Sequence, residues 1–276
     1  MIQAISHVFR FELQRSLTPA RVLIWLALCL FPVLLVGTLY YTVGSRTEYR
    51  SFTDEFGNEQ VTASRDQGIP DEAMTGICFA LVPQISCMLG LLIWATPAVG
   101  SELEAQTWIH LAMRPRGRSA VALGKYGVAV LWTASYTIIG SVLVGVLSGV
   151  ENQVELILAL VSISALSSMS YAALYLLLGA VFFRRASIVA VIYSLILEGA
   201  ISFVPATINQ AAVSFRLRTL IVNWTVLKKE EVAEVVPMGT EAPWVTILLL
   251  VAYSVALLAI ACFIIRTREY PVQVEA

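Results

Sequence analysis

Residues 101–118 read SELEAQTWIHLAMRPRGR, and this polar stretch lies between two long apolar runs. Ser101 and Glu104 have the spacing of a capping box, which predicts that a helix begins here at the membrane surface. Acidic residues in its first turn and Arg114 at its end complement the helix dipole. Arg114 precedes Pro115, an arrangement that disfavours further helix. The stretch therefore predicts a short helix across the cytoplasmic end of a membrane hairpin.

The whole chain has the composition of an integral membrane protein. Its 276 residues are 58% hydrophobic and 13% charged, with a mean hydropathy of +0.79 and a net charge of −1. Soluble domains contain about 25% charged residues, and a near-neutral chain gives no sign of a nucleic-acid partner. A helix that spans a membrane needs about 20 apolar residues. Six segments qualify: 22–44, 74–99, 126–149, 156–182, 186–205 and 243–265.

The basic residues predict the orientation of these spans. If the N-terminus is cytoplasmic, eleven of the eighteen Lys and Arg residues fall in short inner segments and the other seven in longer outer loops. Arg184 and Arg185, between two apolar runs, are the sharpest local signal. The positive-inside rule therefore predicts a single multi-pass domain over residues 1–276, with both termini in the cytoplasm. The membrane expected is the cytoplasmic (inner) membrane.

Three further segments flank the spans. Residues 1–20 predict an amphipathic interface helix, because four apolar residues share one stripe before a break at Pro19. Residues 45–73 form an acidic outer loop, which is either a small hairpin or a solvated linker, and the linker is favoured. Residues 206–242 predict a re-entrant or interfacial segment on the outer face.

Glu198 is the carboxylate inside a predicted span. The fifth span is interrupted there, and Pro205 ends it. A carboxylate at membrane depth is costly, so it should be neutral, paired or facing water. A structural hydrogen bond to the broken helix end, through Ser202 or Asn209, is slightly favoured over a role in a transport pathway or gate.

The chain lacks the usual motifs of catalysis and nucleotide binding. No G-x-x-x-x-G-K-[ST] phosphate loop, H-E-x-x-H or G-x-S-x-G sequence occurs. His7 and His110 are far apart, and the four cysteines lie in apolar runs without metal-site spacing. We therefore expect no enzyme activity, cofactor or metal in this chain, and an energy source on another polypeptide.

Over its whole length the chain resembles the membrane permeases of type-2 ATP-binding-cassette (ABC) transporters. Members of that family often read E-x-x-x-x-T-x-x-x-L-x-x-[RS]-P-x-x-R-x-x-x-x-x-x-K after the second span. In that register this chain has Glu102, Thr107, Leu111, Arg114, Pro115, Arg118 and Lys125. A second and weaker match is Leu197-Glu198-Gly199 followed by Pro205, similar to the family's fifth helix with its acidic residue before a re-entrant break.

The resemblance implies an all-α integral membrane fold with six transmembrane helices and a broken or re-entrant fifth helix. It also implies a dimer of permeases and two cytoplasmic ATPase subunits that carry ATP and Mg, usually for export. Residues 101–118 would be the cytoplasmic coupling helix. The expected ATPase-coupling residues are Glu102, Glu104, Thr107, Trp108, Leu111, Arg114, Pro115 and Arg118.

Simpler interpretations of these residues stay open. The arginines serve equally as positive-inside anchors, Glu102 and Glu104 as complements of the helix dipole, and Trp108 as a packing residue. Two other function classes also stay open: a non-transporting anchor or sensor that recruits a cytoplasmic partner, and a proton-coupled carrier that uses Glu198. The substrate is not identified by the sequence.

Overall fold

The computed structural model describes residues 2–43, 48–53, 59–64, 69–104, 117–200, 209, 212–225 and 242–268. In these ranges the protein is predominantly helical, and five helices are long and apolar enough to cross a membrane. The predicted class, an all-α multi-pass membrane protein, is therefore confirmed.

Eight helices and one hairpin make up the described part of the chain. The helices are α1 (Ile2–Ser16), α2 (Pro19–Val43), α3 (Asp71–Leu103), α4 (Gly117–Leu147), α5 (Gln153–Val181), α6 (Ala186–Gly199), α7 (Val213–Trp224) and α8 (Pro243–Thr267). The five long helices are α2, α3, α4, α5 and α8, whereas α6 is shorter. They correspond to the predicted spans, with α6 at the place of the interrupted fifth.

The N-terminal helix α1 packs against α4. It ends at Ser16 and α2 begins at Pro19, so the break lies where the sequence predicted it. A Cβ atom on Gly124 of α4 would lie 2.6 Å from Cγ1 of Val8, so a glycine is needed for this approach. The indole nitrogen of Trp132 donates a hydrogen bond of 2.7 Å to Ser16 Oγ. Helix α1 is thus held against α4 by close packing and by this hydrogen bond.

Helix α3 contains a π-helical stretch, Ala80–Ser86, between α-helical turns. Pro83 lies within it and has no backbone N–H to donate. Hydroxyl groups from two neighbouring spans bond to its carbonyls: Ser167 of α5 donates to the carbonyl oxygen of Pro83, and Tyr136 of α4 donates to that of Ser86 at 2.7 Å. The widened turn is therefore braced by α4 and α5.

The loop between α2 and α3 contains a hairpin. Strands β1 (Glu48–Thr53) and β2 (Glu59–Ser64) pair antiparallel. The prediction for residues 45–73 favoured a solvated linker, so its less favoured alternative is the one observed. Aromatic and β-branched residues such as Tyr49 and Val61 favour extended backbone, which outweighs the acidic composition of the loop.

The helix after α5 changes type along its length. Helix α6 becomes π-helical over Ser194–Ala200, so the interruption predicted around Glu198 coincides with a change of backbone hydrogen bonding. Residues 201–208 lie outside the described ranges. Helix α7 follows, and most of its side chains are buried, where it packs against α5 and α8. The re-entrant or interfacial character of residues 206–242 stays a prediction.

Candidate functional site

Only the two ends of the predicted coupling segment lie within the described residues. Glu104 ends the helical turn Gly100–Glu104, and Arg118 is in the first turn of α4. The other predicted coupling residues lie outside the described residues: Thr107, Trp108, Leu111, Arg114 and Pro115.

The predicted capping box at Ser101 is wrong. Ser101 lies inside the turn Gly100–Glu104, and the amides of Glu102 and Leu103 already donate to the carbonyl oxygen of Val99. The Ser101 hydroxyl donates to the carbonyl oxygen of Ala98 instead of capping a helix. The physical reason is that a 3₁₀ turn at Thr96–Ala98 interrupts α3 and the next helical turn already begins at Gly100, so Ser101 lies inside this turn and not at its N-cap.

A buried ion pair joins the end of α3 to the beginning of α4. Nζ of Lys125 lies 2.6 Å from Oε1 of Glu102, and the two side chains are 9% and 7% exposed. Lys125 also donates to the carbonyl oxygen of Ala98 at 3.0 Å and to Oγ of Ser101 at 3.2 Å. All three ammonium donors therefore have acceptors, which is the condition under which a buried charge is tolerated.

Arginine side chains tie further helices to the same end of the bundle. Arg15 of α1 approaches Oε1 of Glu102 at 3.8 Å. Nη1 of Arg118 donates to the carbonyl oxygen of Arg266 in α8 at 3.2 Å. Arg268 donates to the carbonyl oxygen of Val181 at 2.5 Å, at the C-terminus of α5, where a cation also complements the helix dipole. Helices α1, α3, α4, α5 and α8 are connected in this way.

The second polar centre surrounds Glu198, which is fully buried. Oε2 of Glu198 accepts hydrogen bonds from the Tyr171 hydroxyl at 2.9 Å and the Ser214 amide at 2.9 Å. Oε1 accepts from the Val213 amide at 3.1 Å and, at 3.4 Å, from the Tyr193 hydroxyl. Each carboxylate oxygen thus receives one backbone amide and one tyrosine.

The two amides belong to the first turn of α7. Its N-cap residue is Ala212, which has no side-chain hydrogen-bonding group. The first amides of a helix lack intrahelical acceptors, so the Glu198 carboxylate serves as a cap and also complements the helix dipole. Arg218 lies one turn further along α7, is buried, and its charge interacts favourably with Glu198. The carboxylate is therefore compensated by amides, hydroxyls and a cation.

Most of this network was missed by the sequence analysis. Ser202, one of the two predicted partners, lies outside the described residues, whereas Asn209 is buried. Tyr171 precedes Glu198 by 27 residues and Val213 follows it by 15, so no local spacing reveals either contact. The structural role expected of Glu198 agrees with the observed hydrogen bonds, and a role in transport stays a prediction.

Among the described residues, no group of three or more His, Cys, Asp or Glu side chains is arranged to hold a metal ion. Both polar centres are built from charge pairing and hydrogen bonds between helices.

Comparison with known proteins adds one positive finding. A family model described as "ABC-2 family transporter protein" matches residues 18–200, about two thirds of the chain. The matched range begins at the first span, includes both members of the Glu102–Lys125 ion pair and extends to Glu198. No curated protein matches the chain.

Proposed function

This chain belongs to the ABC-2 family of transporter proteins, and we propose that it is the export permease of a complex driven by a separate ATPase. It is a non-catalytic, multi-pass membrane subunit of an ABC transporter, and its family implies a partner ATPase. The finer proposal is that two copies form the pathway in the cytoplasmic membrane, with both termini cytoplasmic. Residues 101–118 bind the ATPase and transmit its closure to α3 and α4.

The buried Glu102–Lys125 pair is the observation that best supports this proposal. It joins the two ends of the segment that would bind the ATPase, with a distance of 2.6 Å between the charged atoms. A force applied to that segment would therefore move the end of α3 and the beginning of α4 together. A flexible base would absorb the same movement.

The neighbouring contacts supply a route from this base into the rest of the bundle. Arg118 bonds to the last turn of α8, and Arg15 brings α1 close to the ion pair. Tyr136 and Ser167 hold the π-helical stretch of α3 against α4 and α5. A displacement of the base thus reaches four spans through direct contacts. A non-transporting anchor would need no such linkage between spans.

The proposed orientation predicts which loops react with reagents outside the cell. Cysteines introduced as Glu59→Cys and Arg184→Cys in a cysteine-free background would be tested with a membrane-impermeant maleimide. We expect Glu59→Cys to be labelled on intact cells and Arg184→Cys only after permeabilisation, because Arg184 lies in a short, basic connection. Labelling of Arg184→Cys on intact cells would contradict the proposed orientation and indicate the opposite one.

The docking of residues 101–118 predicts a severe defect when charge is placed on its apolar residues. The double variant Trp108→Asp/Leu111→Asp is expected to lose ATPase co-purification and transport, because docking would bury unpaired carboxylates. The control Arg116→Ala is expected to change little, since an exposed ion pair contributes about 0–1 kcal/mol. Full ATPase retention with normal transport in the double variant, correctly inserted, would remove this segment from the mechanism.

The function itself is tested by purifying the protein with its ATPase. We expect mass spectrometry to identify an ABC ATPase, native mass measurement to show two permease copies, and transported compounds to stimulate ATP hydrolysis. A complex with one permease copy, or ATP hydrolysis that does not respond to the permease, would favour the non-transporting anchor.

A further inference from the structure

A cleft opens between α1, the beginning of α2, the end of α3 and α4. Its volume is about 110 Å³, whereas one water needs about 10–15 Å³, so it can hold a group of several heavy atoms. Three cations lie on its walls, Arg15, Arg21 and Lys125. Glu12 is the one carboxylate among the described residues that line it. The cleft therefore carries a net positive charge.

Two of the three cations are available to a ligand. Lys125 is committed to Glu102, which lies behind the wall at 2.6 Å. Arg15 is 53% exposed and approaches Glu102 only at 3.8 Å. Arg21 forms no ion pair with any residue in the described part of the chain. The cleft is thus lined by two guanidinium groups, of Arg15 and Arg21, that are not committed to a close ion pair, and their planar donors match the geometry of a phosphate.

Apolar side chains also line the cleft, among them Ile93, Trp94 and Val128. Ile93 is 44% exposed. Elsewhere on the two helices that border the cleft, Phe11 on α1 and Leu23 on α2 are more exposed than this. Apolar side chains beside a pair of arginines fit a ligand with a charged head and hydrocarbon chains, and they contribute nothing to the binding of a free phosphate ion.

We propose that this cleft binds the headgroup phosphate of an anionic phospholipid. The phosphate lies between Arg15 and Arg21, and the acyl chains extend along Ile93 and the exposed residues of α1 and α2. Basic pockets between transmembrane helices are suited to such headgroups because charge and hydrocarbon surface meet there. Arg15 also approaches Glu102, so the bound lipid lies next to the ion pair at the base of α3 and α4.

The test measures phosphatidylglycerol binding to the full chain in detergent by native mass spectrometry, with phosphatidylcholine as the zwitterionic reference. The double variant Arg15→Gln/Arg21→Gln is expected to lose about 25-fold in affinity, since each arginine near an anionic headgroup contributes a factor of about five. Phosphatidylcholine binding is expected to be unchanged. The matched control Arg10→Gln/Arg185→Gln removes two exposed arginines outside the cleft and is expected to retain wild-type affinity.

A single variant and a competition with inorganic phosphate distinguish lipid binding from the binding of a free anion and from attraction by net charge. Arg21→Gln alone breaks no described ion pair and is expected to lose about fivefold, which keeps the test decisive if the double variant does not fold. Inorganic phosphate at the same concentrations is expected not to displace the lipid. Displacement by phosphate would identify a free-anion site and overturn the proposal. Equal losses in the cleft and control double variants would show attraction by net charge alone and would overturn it too.

Discussion

Replacing Glu198 with Leu is expected to destabilise the protein by about 2–6 kcal/mol, because it leaves the two amides of α7 without an acceptor at about 1–3 kcal/mol each. Glu198→Gln is expected to cost about 1–3 kcal/mol, since an NH₂ group, which donates and cannot accept, replaces one of the two carboxylate oxygens. The NH₂ group of Gln then faces a backbone amide, which cannot reverse its direction. The tyrosine hydroxyls can rotate to accept from that group. The wild-type protein should therefore be the most stable, Glu198→Gln less stable, and Glu198→Leu the least stable.

Thermal unfolding in detergent measures this order. Glu155, an exposed carboxylate in the first turn of α5, supplies the matched controls Glu155→Gln and Glu155→Leu, expected to change stability by about 1 kcal/mol or less. Equal melting temperatures for the Gln and Leu variants at position 198 would contradict the proposal that the Glu198 side chain caps α7. Loss of transport in Glu198→Gln at unchanged stability would instead assign the carboxylate a charge or proton role and revive the carrier hypothesis.

The second large effect is expected at the base of the coupling segment. Lys125→Met removes the closest cation from a buried carboxylate and leaves the half-exposed Arg15 at 3.8 Å in place of the contact at 2.6 Å, which should cost up to about 3–5 kcal/mol. The double variant Glu102→Gln/Lys125→Met is expected to recover most of this stability, because no charge then stays buried. Its transport per ATP hydrolysed should nevertheless fall, since the charged link between α3 and α4 is gone.

Unfolding and coupling are therefore measured on the same variants, with Arg185→Met as a control that removes an exposed cation. If the double variant is as unstable as Lys125→Met, the loss does not arise from the buried charge of Glu102. If the double variant is stable and fully coupled, the ion pair is a packing feature and the base is held rigid by other contacts.

The spans were predictable because length and hydropathy are sufficient to identify them. Changes of helix type within the spans were not predictable to the same degree. Pro83 marks the π-helical stretch of α3, but a membrane helix is apolar on most sides, so its periodicity does not show where the turn widens. Glu198 did mark the change of helix type in α6, because a charge is conspicuous in an apolar run, whereas Pro205 lies outside the described residues.

The polar sites show the limits of sequence reasoning more sharply. Glu102 and Lys125 were both recognised in the family pattern, yet their contact was not, because 23 residues separate them and no local period relates their positions. Ser101 was misassigned because the helical turn begins one residue earlier, at Gly100, and a capping-box spacing does not fix the first residue of a helix. At Glu198 the need for compensation was predictable from membrane physics, whereas the donors depend on tertiary structure.

The residue that caps α7 is synthesised before α7 itself. Glu198 precedes the first amide that it caps by 15 residues, and a ribosome adds about 5–20 residues per second. The carboxylate is thus made about 1–3 s before the helix that it stabilises, while Tyr171 has already been synthesised. The carboxylate that caps α7 is therefore already present on α6 when the first turn of α7 is synthesised, so this helix can be capped as soon as it forms.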